Sequence, residues 1–518
     1  MRFVSRAEQD ELTERHGHWR RSPSQALDDR FFDGEPLPRE IVPRHWLPEG
    51  TVHGGRRIAR STDSTRYFKG PQVLVLRDDM RRLTWAATVE GQRLLLSEYL
   101  QPAASEVQRG RHTIAEGPIW RYHISLNKHT GRVCATWVSR PEGKGELWHD
   151  GRRVETQARN VDFPFFAYSQ VPIGLVQSEE PPFGVLGYKC RDTGRIFLRR
   201  FEGSEPGPEQ VVVEEPTVGG VSFGIMEDEV VARVDLLRED RLVPALLTSR
   251  DGGRTFGTPE PIDLTPVREQ GFAPRPGYQK PIVDKGGSFH VPIGMDSDSE
   301  VLALNYVAAA DMLVEAVRFK DGGLGKGDME VFPSTLGSGN TFGNGVSDGH
   351  GLIMVVSTRK GQLFTSNSSA GGGHFPEAQL LNHEMPLVAD FSASECYSSG
   401  LTPNVVSMDY VFVECNKLGR PLSGEVFIET WDMPLPLPRA RATATGGSVS
   451  VEILNDADLE PGKVTFSFDD PAVNVTAVDI TDLRHATVHT DREDLRGKTL
   501  AFDVLTLFHR HYGEVTVE

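Results

Sequence analysis

The sequence lacks the marks of several common protein classes. Its four cysteines, Cys134, Cys190, Cys396 and Cys415, are too few and too far apart for a disulfide framework or a zinc site. We therefore interpret them as reduced structural thiols. No run approaches the roughly 18 apolar residues of a membrane-spanning helix, and residues 1–10 lack the apolar core of a signal peptide. A soluble, cytoplasmic protein is expected.

Positive charge is also scarce. Across 518 residues, 56 Lys and Arg face 73 Asp and Glu, which gives a net charge of −17. This balance argues against nucleic acid or an anionic membrane as a partner. We expect a small-molecule or glycan ligand, and the net charge does not exclude an acidic one, because a local basic cluster can override it within a cleft. The oligomeric state is not predictable from the sequence.

Familiar cofactor and catalytic motifs are missing as well. The chain has no phosphate-binding Gly-x-x-x-x-Gly-Lys-Ser/Thr loop, no His-Glu-x-x-His and no Gly-x-Ser-x-Gly. Asp296, Asp298 and Glu300 could supply oxygens to a calcium ion, but an exposed acidic turn is the favoured interpretation. We therefore expect neither a cofactor nor a metal.

Short apolar or alternating runs separated by Gly, Asp and Asn fill most of the chain. Examples are residues 72–76, 83–88, 133–138 and 301–307. Runs of this length indicate an all-β fold. They recur in a weak repeat of about 45 to 55 residues, the size of a four-stranded propeller blade. The pattern predicts a six- or seven-bladed β-propeller.

Composition suggests three regions. Residues 1–60 are polar and rich in Arg and Pro, and we expect them to pack on the propeller as an extension. Residues 61–435 carry the repeat. A Pro-rich linker begins at Met433, and alternating runs within residues 440–518 predict a small C-terminal β-sandwich.

One predicted hairpin has a specific sequence pattern. Residues 249–256 have the form Ser-x-Asp-x-Gly-x-Thr-aromatic, which resembles the Asp-box repeat of certain propellers. Asp251 can accept hydrogen bonds from the following backbone N–H groups, Gly252 and Gly253 suit left-handed backbone angles, and Phe256 can pin the turn to the sheet. A degenerate copy at 365–375 keeps the Ser, the Gly cluster and the aromatic residue.

The order of motifs near the end of the predicted propeller resembles the sialidase superfamily. Arg359 follows a strand, the degenerate box comes next, then the segment around Tyr397, and then Glu414 on an apolar strand. The resemblance implies a diverged exo-glycoside hydrolase for an acidic or terminal sugar. Tyr397 would be its nucleophile, Glu414 would orient a basic residue, and Arg359 would hold the substrate's anion.

The opening strand of the predicted propeller completes the resemblance. Lys69 stands where the family places its first Arg, so it would share the anion-binding role, although lysine lacks the planar fork of arginine. Tyr278 and His290 lie in the region where the family supplies further substrate contacts, and both are candidate substrate-binding residues.

Two other functions remain open. His123, Arg121, Tyr188 and His290, with His350, could line the propeller axis, and His and Tyr suit the proton transfers of a uronate lyase. In that case His123 would be catalytic, while Arg121 and Tyr188 would contact the substrate. The third possibility is a non-catalytic glycan-binding or scaffold propeller, or one recruited to small-metabolite biosynthesis.

Overall fold

The computed structural model describes residues 2–5, 7–8, 51–52, 56–60, 71–78, 81–101, 107–127, 130–169, 183–277, 280–283, 289–297, 300–320, 344–347, 352–357, 363–368, 375, 379–380, 388–393, 405–415, 421–434, 439–454, 464–482, 485–505 and 510–518. Strands dominate these ranges, and short helices such as Thr265–Arg268 and Ala308–Ala310 interrupt them. Among the helices described there, none is long and apolar enough to cross a membrane.

In this part of the chain, residues 51–434 contribute to seven consecutive antiparallel sheets, which we call blades 1 to 7. Blade 1 contains Gln72–Asp78, Arg81–Glu90, Arg93–Gln101 and Val107–Glu116. Blade 2 contains Ile119–Asn127, Arg132–Ser139, Glu146–His149 and Arg152–Arg153. Blade 3 contains Val161–Tyr168, Phe183–Cys190, Ile196–Glu202 and an outer edge divided into Glu205–Pro206 and Gln210–Val213. Blade 4 contains Thr217–Met226, Glu229–Arg238, Arg241–Ser249 and Glu260–Pro261.

The other three blades have less regular edges. Blade 5 has a divided innermost strand, Ala273–Pro274 and Ile282–Val283, followed by Phe289–Asp296, Glu300–Val307 and Met312–Lys320. Blade 6 contains Asn344–Ser347, Leu352–Ser357, Leu363–Ser368 and Gln379–Leu380. Blade 7 contains Val388–Ala393, Val405–Cys415 and Pro421–Pro434.

The innermost strands make the ring. Each contacts the innermost strand of the following blade, and Val388–Ala393 of blade 7 contacts Gln72–Asp78 of blade 1. Side chains join the seams. The Gln72 amide donates to the carbonyl of Tyr122 (3.0 Å) and accepts from the N–H of Ile124 (3.0 Å), so it links blades 1 and 2. The chain is thus an all-β, seven-bladed propeller followed by a small β-domain, and the predicted fold class is confirmed.

Strands from the N-terminal 60 residues extend two blades. Arg2–Val4 pairs in parallel with Met312–Lys320 at the outer edge of blade 5. Thr51–Val52 and Arg56–Arg60 pair with Pro421–Pro434 at the outer edge of blade 7. Chain segments far apart in sequence therefore share hydrogen-bonded sheets, and they cover edges that would otherwise present unpaired backbone groups.

The hairpin at 249–256 forms as its residues predict. Asp251 Oδ1 accepts from the backbone N–H groups of Arg254 and Thr255, both at 2.9 Å, and Oδ2 accepts from the Thr255 hydroxyl at 2.6 Å. These donors lower the pKa of Asp251 to about 2. Gly252 and Gly253 have φ of +70° and +81°, and the ring of Phe256 packs against the core between blades 3 and 4.

The hairpin connects the third and fourth strands of blade 4. The degenerate copy connects the corresponding strands of blade 6, where Phe375 is fully buried, although residues 369–374 lie outside the described ranges. Because neighbouring strands are antiparallel, this connection lies at the axial face opposite the one where the innermost strands begin. We call the face where they begin the entry face.

The C-terminal residues form two facing sheets. One contains Ala440–Thr445, Ser448–Ile453, Val475–Ile480 and His485–Thr490, and the other contains Val464–Phe468, Thr499–Leu505 and Arg510–Thr516. Val449, Val451 and Val488 of the first sheet share one core with Phe466 and Phe502 of the second. Alternating burial along these strands explains why the sequence predicts a sandwich here.

Candidate functional site

The clearest candidate site lies on the propeller axis. His123 is the fifth residue of Ile119–Asn127, the innermost strand of blade 2, and its ring packs 4.2 Å from that of Phe165 on the innermost strand of blade 3. Phe165 in turn contacts Phe223 of blade 4 edge to face, with ring centroids 4.9 Å apart. Three consecutive blades thus place aromatic rings side by side along their innermost strands.

Lys280 belongs to blade 5. It lies between the two halves of the innermost strand of that blade, and its side chain is exposed. Burial lowers the pKa of His123 to about 3, with a further contribution from the positive charge of Lys280. Blades 2 and 5 are not neighbours in the ring, so this electrostatic interaction joins separate blades.

The hydrogen bonds of His123 define its chemistry. Its Nδ1 accepts from the backbone N–H of Phe166 (3.4 Å) and lies 3.3 Å from the Ser125 hydroxyl. An amide N–H always donates, so Nδ1 is the unprotonated nitrogen and Nε2 carries the hydrogen. In the described part of the chain, no protein group bonds Nε2. His123 is therefore a neutral N–H donor on the innermost strand of blade 2.

A buried ionic cluster flanks the site on the entry side. The Arg121 guanidinium, two residues before His123 on the same strand, lies 2.9 Å from Asp162 and 3.7 Å from the ring centroid of Phe163. Arg140 lies 3.0 Å from the other oxygen of Asp162. Asp162 is 3% exposed and Arg121 only 1%, so the Arg121 guanidinium is held by these partners rather than presented to a ligand.

The backbone beside this cluster is strained. Phe163 has a φ of +53°, in the left-handed region that aromatic residues rarely occupy, and the strand register shifts between Asp162 and Phe165. The Asp162 carboxylate accepts from the Phe163 N–H at 2.9 Å, which stabilises this conformation. The ring packs against Gly220, where a Cβ would overlap it. Such strain is enriched at ligand sites.

A further cation lies on the other side of Phe163. Lys189 Nζ is 5.8 Å from the Phe163 ring centroid and donates to the carbonyl of Thr217 at 2.5 Å. Burial, helped by Arg121 and Arg191 and opposed by Asp162, lowers the pKa of Lys189 to about 8. Arg121, Arg140 and Lys189 thus bring three cationic groups close to Asp162, although the whole protein is acidic.

Tyr188 lies in a different environment from His123. Its hydroxyl donates to Glu209, which also accepts from Thr156 and, at 3.0 Å, from the Gln157 N–H. Burial raises the pKa of Tyr188, and the hydrogen bond to Glu209 adds to this effect. The ring is fully buried and stacks on Phe197. Among the contacts of the described residues, none joins Tyr188 to His123.

His290 and Glu414 lie on the second strands of blades 5 and 7. His290 is fully buried on the second strand of blade 5, where its Nδ1 accepts from the Asn305 amide at 3.1 Å. Glu414 is half-buried on the second strand of blade 7, opposite Val388, and so lies toward the entry face. The hydrogen bond between His290 Nδ1 and Asn305 is explained by a structural role. The position of Glu414 toward the entry face is compatible with its predicted role.

Four predicted site residues, Arg359, Lys69, Tyr278 and Tyr397, lie outside the described residues, as does His350. Their roles remain predictions. Asp298 also falls outside, while its neighbours Asp296 and Glu300 pair with Arg275 and Arg318 respectively. Within the described ranges, no group of three or more His, Cys, Asp or Glu side chains could hold a metal ion.

Lys280, Phe163 and Phe165 were not predicted as site residues. The available signal was the segment 277–281, Gly-Tyr-Gln-Lys-Pro, whose glycine and proline interrupt the strand pattern and mark a backbone irregularity. Such a signal identifies a loop. It does not reveal that the loop interrupts an innermost strand, or that its lysine interacts electrostatically with a histidine three blades away.

The buried histidines predict acid lability. Burial lowers the pKa of His149 to about 4, as it lowers that of His123 to about 3, so the unfolded chain takes up protons from about pH 6.5 while the folded chain does not. The free energy of unfolding should therefore fall as the pH drops from about 6.5 to 4, by at most about 1.4 kcal/mol per pH unit for each histidine.

Urea denaturation at several pH values checks this expectation. His149→Gln should reduce the slope between pH 6.5 and 4, whereas the same change at the exposed His112 should leave it unaltered. Equal slopes in wild type and His149→Gln would contradict the assignment.

Comparison with known proteins finds no matching family model and no matching curated sequence. Among solved structures, a Dyadobacter fermentans protein of unknown function is 11% identical over 75% of this chain and 100% of its own, with a TM-score of 0.40. The polysaccharide lyase Uly1 is 8% identical over 75% and 98% of the two chains, with a TM-score of 0.42. The β-propeller domain of Myceliophteria thermophila Cps50 is 11% identical over 73% and 99%, with a TM-score of 0.38. The blade assignment above rests on the chain's own strand pairing.

Proposed function

We propose that this protein is a carbohydrate-active propeller that recognises an acidic sugar at its axis. The observation that carries the proposal is the neutral His123 beside the rings of Phe165 and Phe223 on the innermost strands, together with the exposed Lys280 in the interrupted innermost strand of blade 5. Lys280 would neutralise the sugar carboxylate, and the Nε2–H group of His123 would donate to a carboxylate or hydroxyl oxygen. Aromatic faces such as that of Phe165 would pack against the sugar ring.

The surrounding electrostatics support an anionic ligand. Arg121, Arg140 and Lys189 add positive charge around Asp162, beside the innermost strands of blades 2 and 3. A cleft whose walls carry one sign of charge concentrates ions of the opposite sign, even on a protein of opposite net charge. The chain's net charge of −17 would repel an acidic sugar elsewhere, so recognition would be confined to this region.

The same geometry favours binding over proton abstraction by His123. A general base must offer an unprotonated nitrogen, but Nδ1 already accepts from the Phe166 N–H, and Nε2 carries the hydrogen. A pKa near 3 also makes the imidazole a weak base. His123 is therefore suited to hold a substrate, and the catalytic role given to it by the lyase hypothesis would require a change of tautomer.

A diverged sialidase-like exo-glycoside hydrolase is the second candidate. It is favoured by the hairpin at 249–256, whose hydrogen bonds match the Asp-box pattern and which joins the third and fourth strands of its blade. In this function Tyr397 would be the nucleophile, Glu414 would orient a basic residue, and Arg359 and Lys69 would bind the anion with Lys280.

Replacing Lys280 with methionine tests the main proposal. The change removes the charge but keeps the apolar stem, so the dissociation constant for D-glucuronate should rise about 10- to 100-fold, the value of a charge-assisted hydrogen bond. Isothermal titration calorimetry measures the effect, with D-glucose as the neutral match. Lys144→Met, at an exposed turn, is the control and should bind like wild type.

The proposal fails if wild type binds glucuronate no better than glucose, or if Lys280→Met leaves the dissociation constant unchanged. Product analysis with acidic oligosaccharides then separates the chemistries. Hydrolysis releases a saturated sugar, β-elimination gives an unsaturated product that absorbs in the ultraviolet, and a binding protein leaves the glycan intact.

A further inference from the structure

We infer that the buried pair Arg233–Asp235 in blade 4, together with Gly277, positions the Lys280 segment of blade 5. These three residues lie outside the set predicted for the site, and they would act through Lys280 rather than touch the ligand. The inference rests on the proposed function for its effect on ligand binding, but its structural half can be measured without any ligand.

The pair is fully enclosed. The side chains of Arg233 and Asp235 are 0% and 1% exposed. The Arg233 Nη2 atom lies 3.2 Å from Asp235 Oδ1. Arg233 also donates to the carbonyl of Pro292 on the second strand of blade 5. A buried ion pair with a hydrogen bond to a neighbouring blade has one favourable geometry, so it forms a rigid reference point, which means that it fixes the positions of the groups bonded to it.

Asp235 extends this reference point to the Lys280 segment. Its Oδ2 accepts from the backbone N–H of Gly277 at 2.7 Å. Gly277 lies in the interruption of the innermost strand, three residues before Lys280, where the chain leaves its ladder partners on the second strand. A backbone N–H that has left the ladder needs another acceptor when it is buried, and the carboxylate from blade 4 supplies it.

Gly277 is required for close approach rather than for a special backbone angle. Its φ is not in the left-handed region, but a Cβ there would overlap the guanidinium nitrogens of Arg233. Arg233 cannot move aside, because Asp235 and Pro292 hold it. An alanine at 277 would therefore push the segment away from blade 4, and Lys280 would move with it.

Gly277→Ala is the test, and Gly257→Ala is its matched control. A Cβ at residue 257 meets only the Thr248 carbonyl, at an ordinary 3.7 Å, and its φ is also unexceptional. Hydrogen exchange by mass spectrometry should show faster exchange in residues 273–283 of Gly277→Ala, and wild-type exchange in Gly257→Ala. The dissociation constant for D-glucuronate should rise about 5- to 20-fold in Gly277→Ala alone.

A double-variant comparison separates positioning from general damage. In a Lys280→Met background, Gly277→Ala should add less than a 2-fold further loss of affinity, because the group it positions is already gone. A purely structural defect would weaken binding by the same factor in both backgrounds, and that result would overturn the inference.

Two further outcomes are decisive. If Lys280→Met weakens binding but Gly277→Ala does not, positioning is wrong and the proposed function stands; if neither variant affects binding, the proposed function fails. If Gly277→Ala does not fold, hydrogen exchange of the wild-type protein still tests the inference. The inference requires that the Gly277 amide hydrogen be as protected from exchange as the amide hydrogens of the strands. Exchange of that amide at the rate of an exposed loop would overturn the inference.

Discussion

Replacing Asp162 with alanine is expected to lower the free energy of unfolding by about 3 to 5 kcal/mol, the usual cost of leaving buried charges unpaired. Asp162 is the shared acceptor of Arg121 and Arg140, and the three side chains are 5%, 2% and 9% exposed. Without the carboxylate, two guanidinium groups would face each other in a site that water barely reaches. Chemical denaturation measures the loss.

The control is Glu214→Ala. Glu214 pairs with Arg195 at the surface, where the two side chains are 67% and 47% exposed, so its loss should cost no more than about 1 kcal/mol. Adding Arg121→Met to Asp162→Ala should recover part of the lost stability, because it removes one of the uncompensated charges. A loss in Asp162→Ala as small as that in Glu214→Ala would contradict the cluster's structural role.

This result also bears on function. Arg121 was predicted to bind substrate, yet the structure commits it to Asp162 and Phe163. If the cluster is structural, Asp162→Ala destabilises the fold, while the ligand affinity of the molecules that remain folded changes little. The cluster would then contribute to recognition through its long-range electrostatic potential, and Lys280 would contact the ligand directly.

Replacing Asp409 with alanine is expected to open the seam that closes the propeller. Asp409 of blade 7 is fully buried and accepts from the Thr84 hydroxyl of blade 1 and the Thr430 hydroxyl of its own blade, both at 2.7 Å. Each buried hydroxyl left without an acceptor costs about 1 to 3 kcal/mol, so the total loss in unfolding free energy should be several kcal/mol.

Asp409→Asn is the matched control. Its amide can accept from one threonine and donate to the oxygen of the other, so most of the hydrogen bonding survives and the loss should be clearly smaller. Hydrogen exchange should rise first in the strands of blades 1 and 7 in Asp409→Ala. Uniform exchange across all blades, or equal losses in the two variants, would show that the seam does not depend on this side chain.

Single elements show which parts of the fold can be predicted from the sequence. The hairpin at 249–256 follows from residues within eight positions of one another, and its hydrogen bonds form between the groups the pattern indicated. The alternation in 440–518 predicted a sandwich for the same reason, because which face of a strand is buried can be read locally. Blade strands such as Glu229–Arg238 are harder, since blades pack on both sides and bury both faces.

The site is harder to predict from the sequence than the hairpin, because its residues come from separate blades. His123 was selected with Tyr188 and His290, residues of suitable chemistry, yet the structure gives those two other partners. Lys280 had no local mark beyond a glycine and a proline nearby. Its relation to His123 depends on how many blades close the ring and on where one innermost strand is interrupted.

Local patterns in the sequence predict the all-β class, the blade-sized repeat, the hairpin at 249–256 and the small C-terminal β-domain. Each depends on hydrogen bonds and side-chain alternation between residues close in the chain. The number of blades, the burial of Arg121 and the electrostatic interaction of Lys280 with His123 follow only from the tertiary structure. These depend on packing between blades, and a side chain's neighbours across a ring are fixed only once every seam has closed.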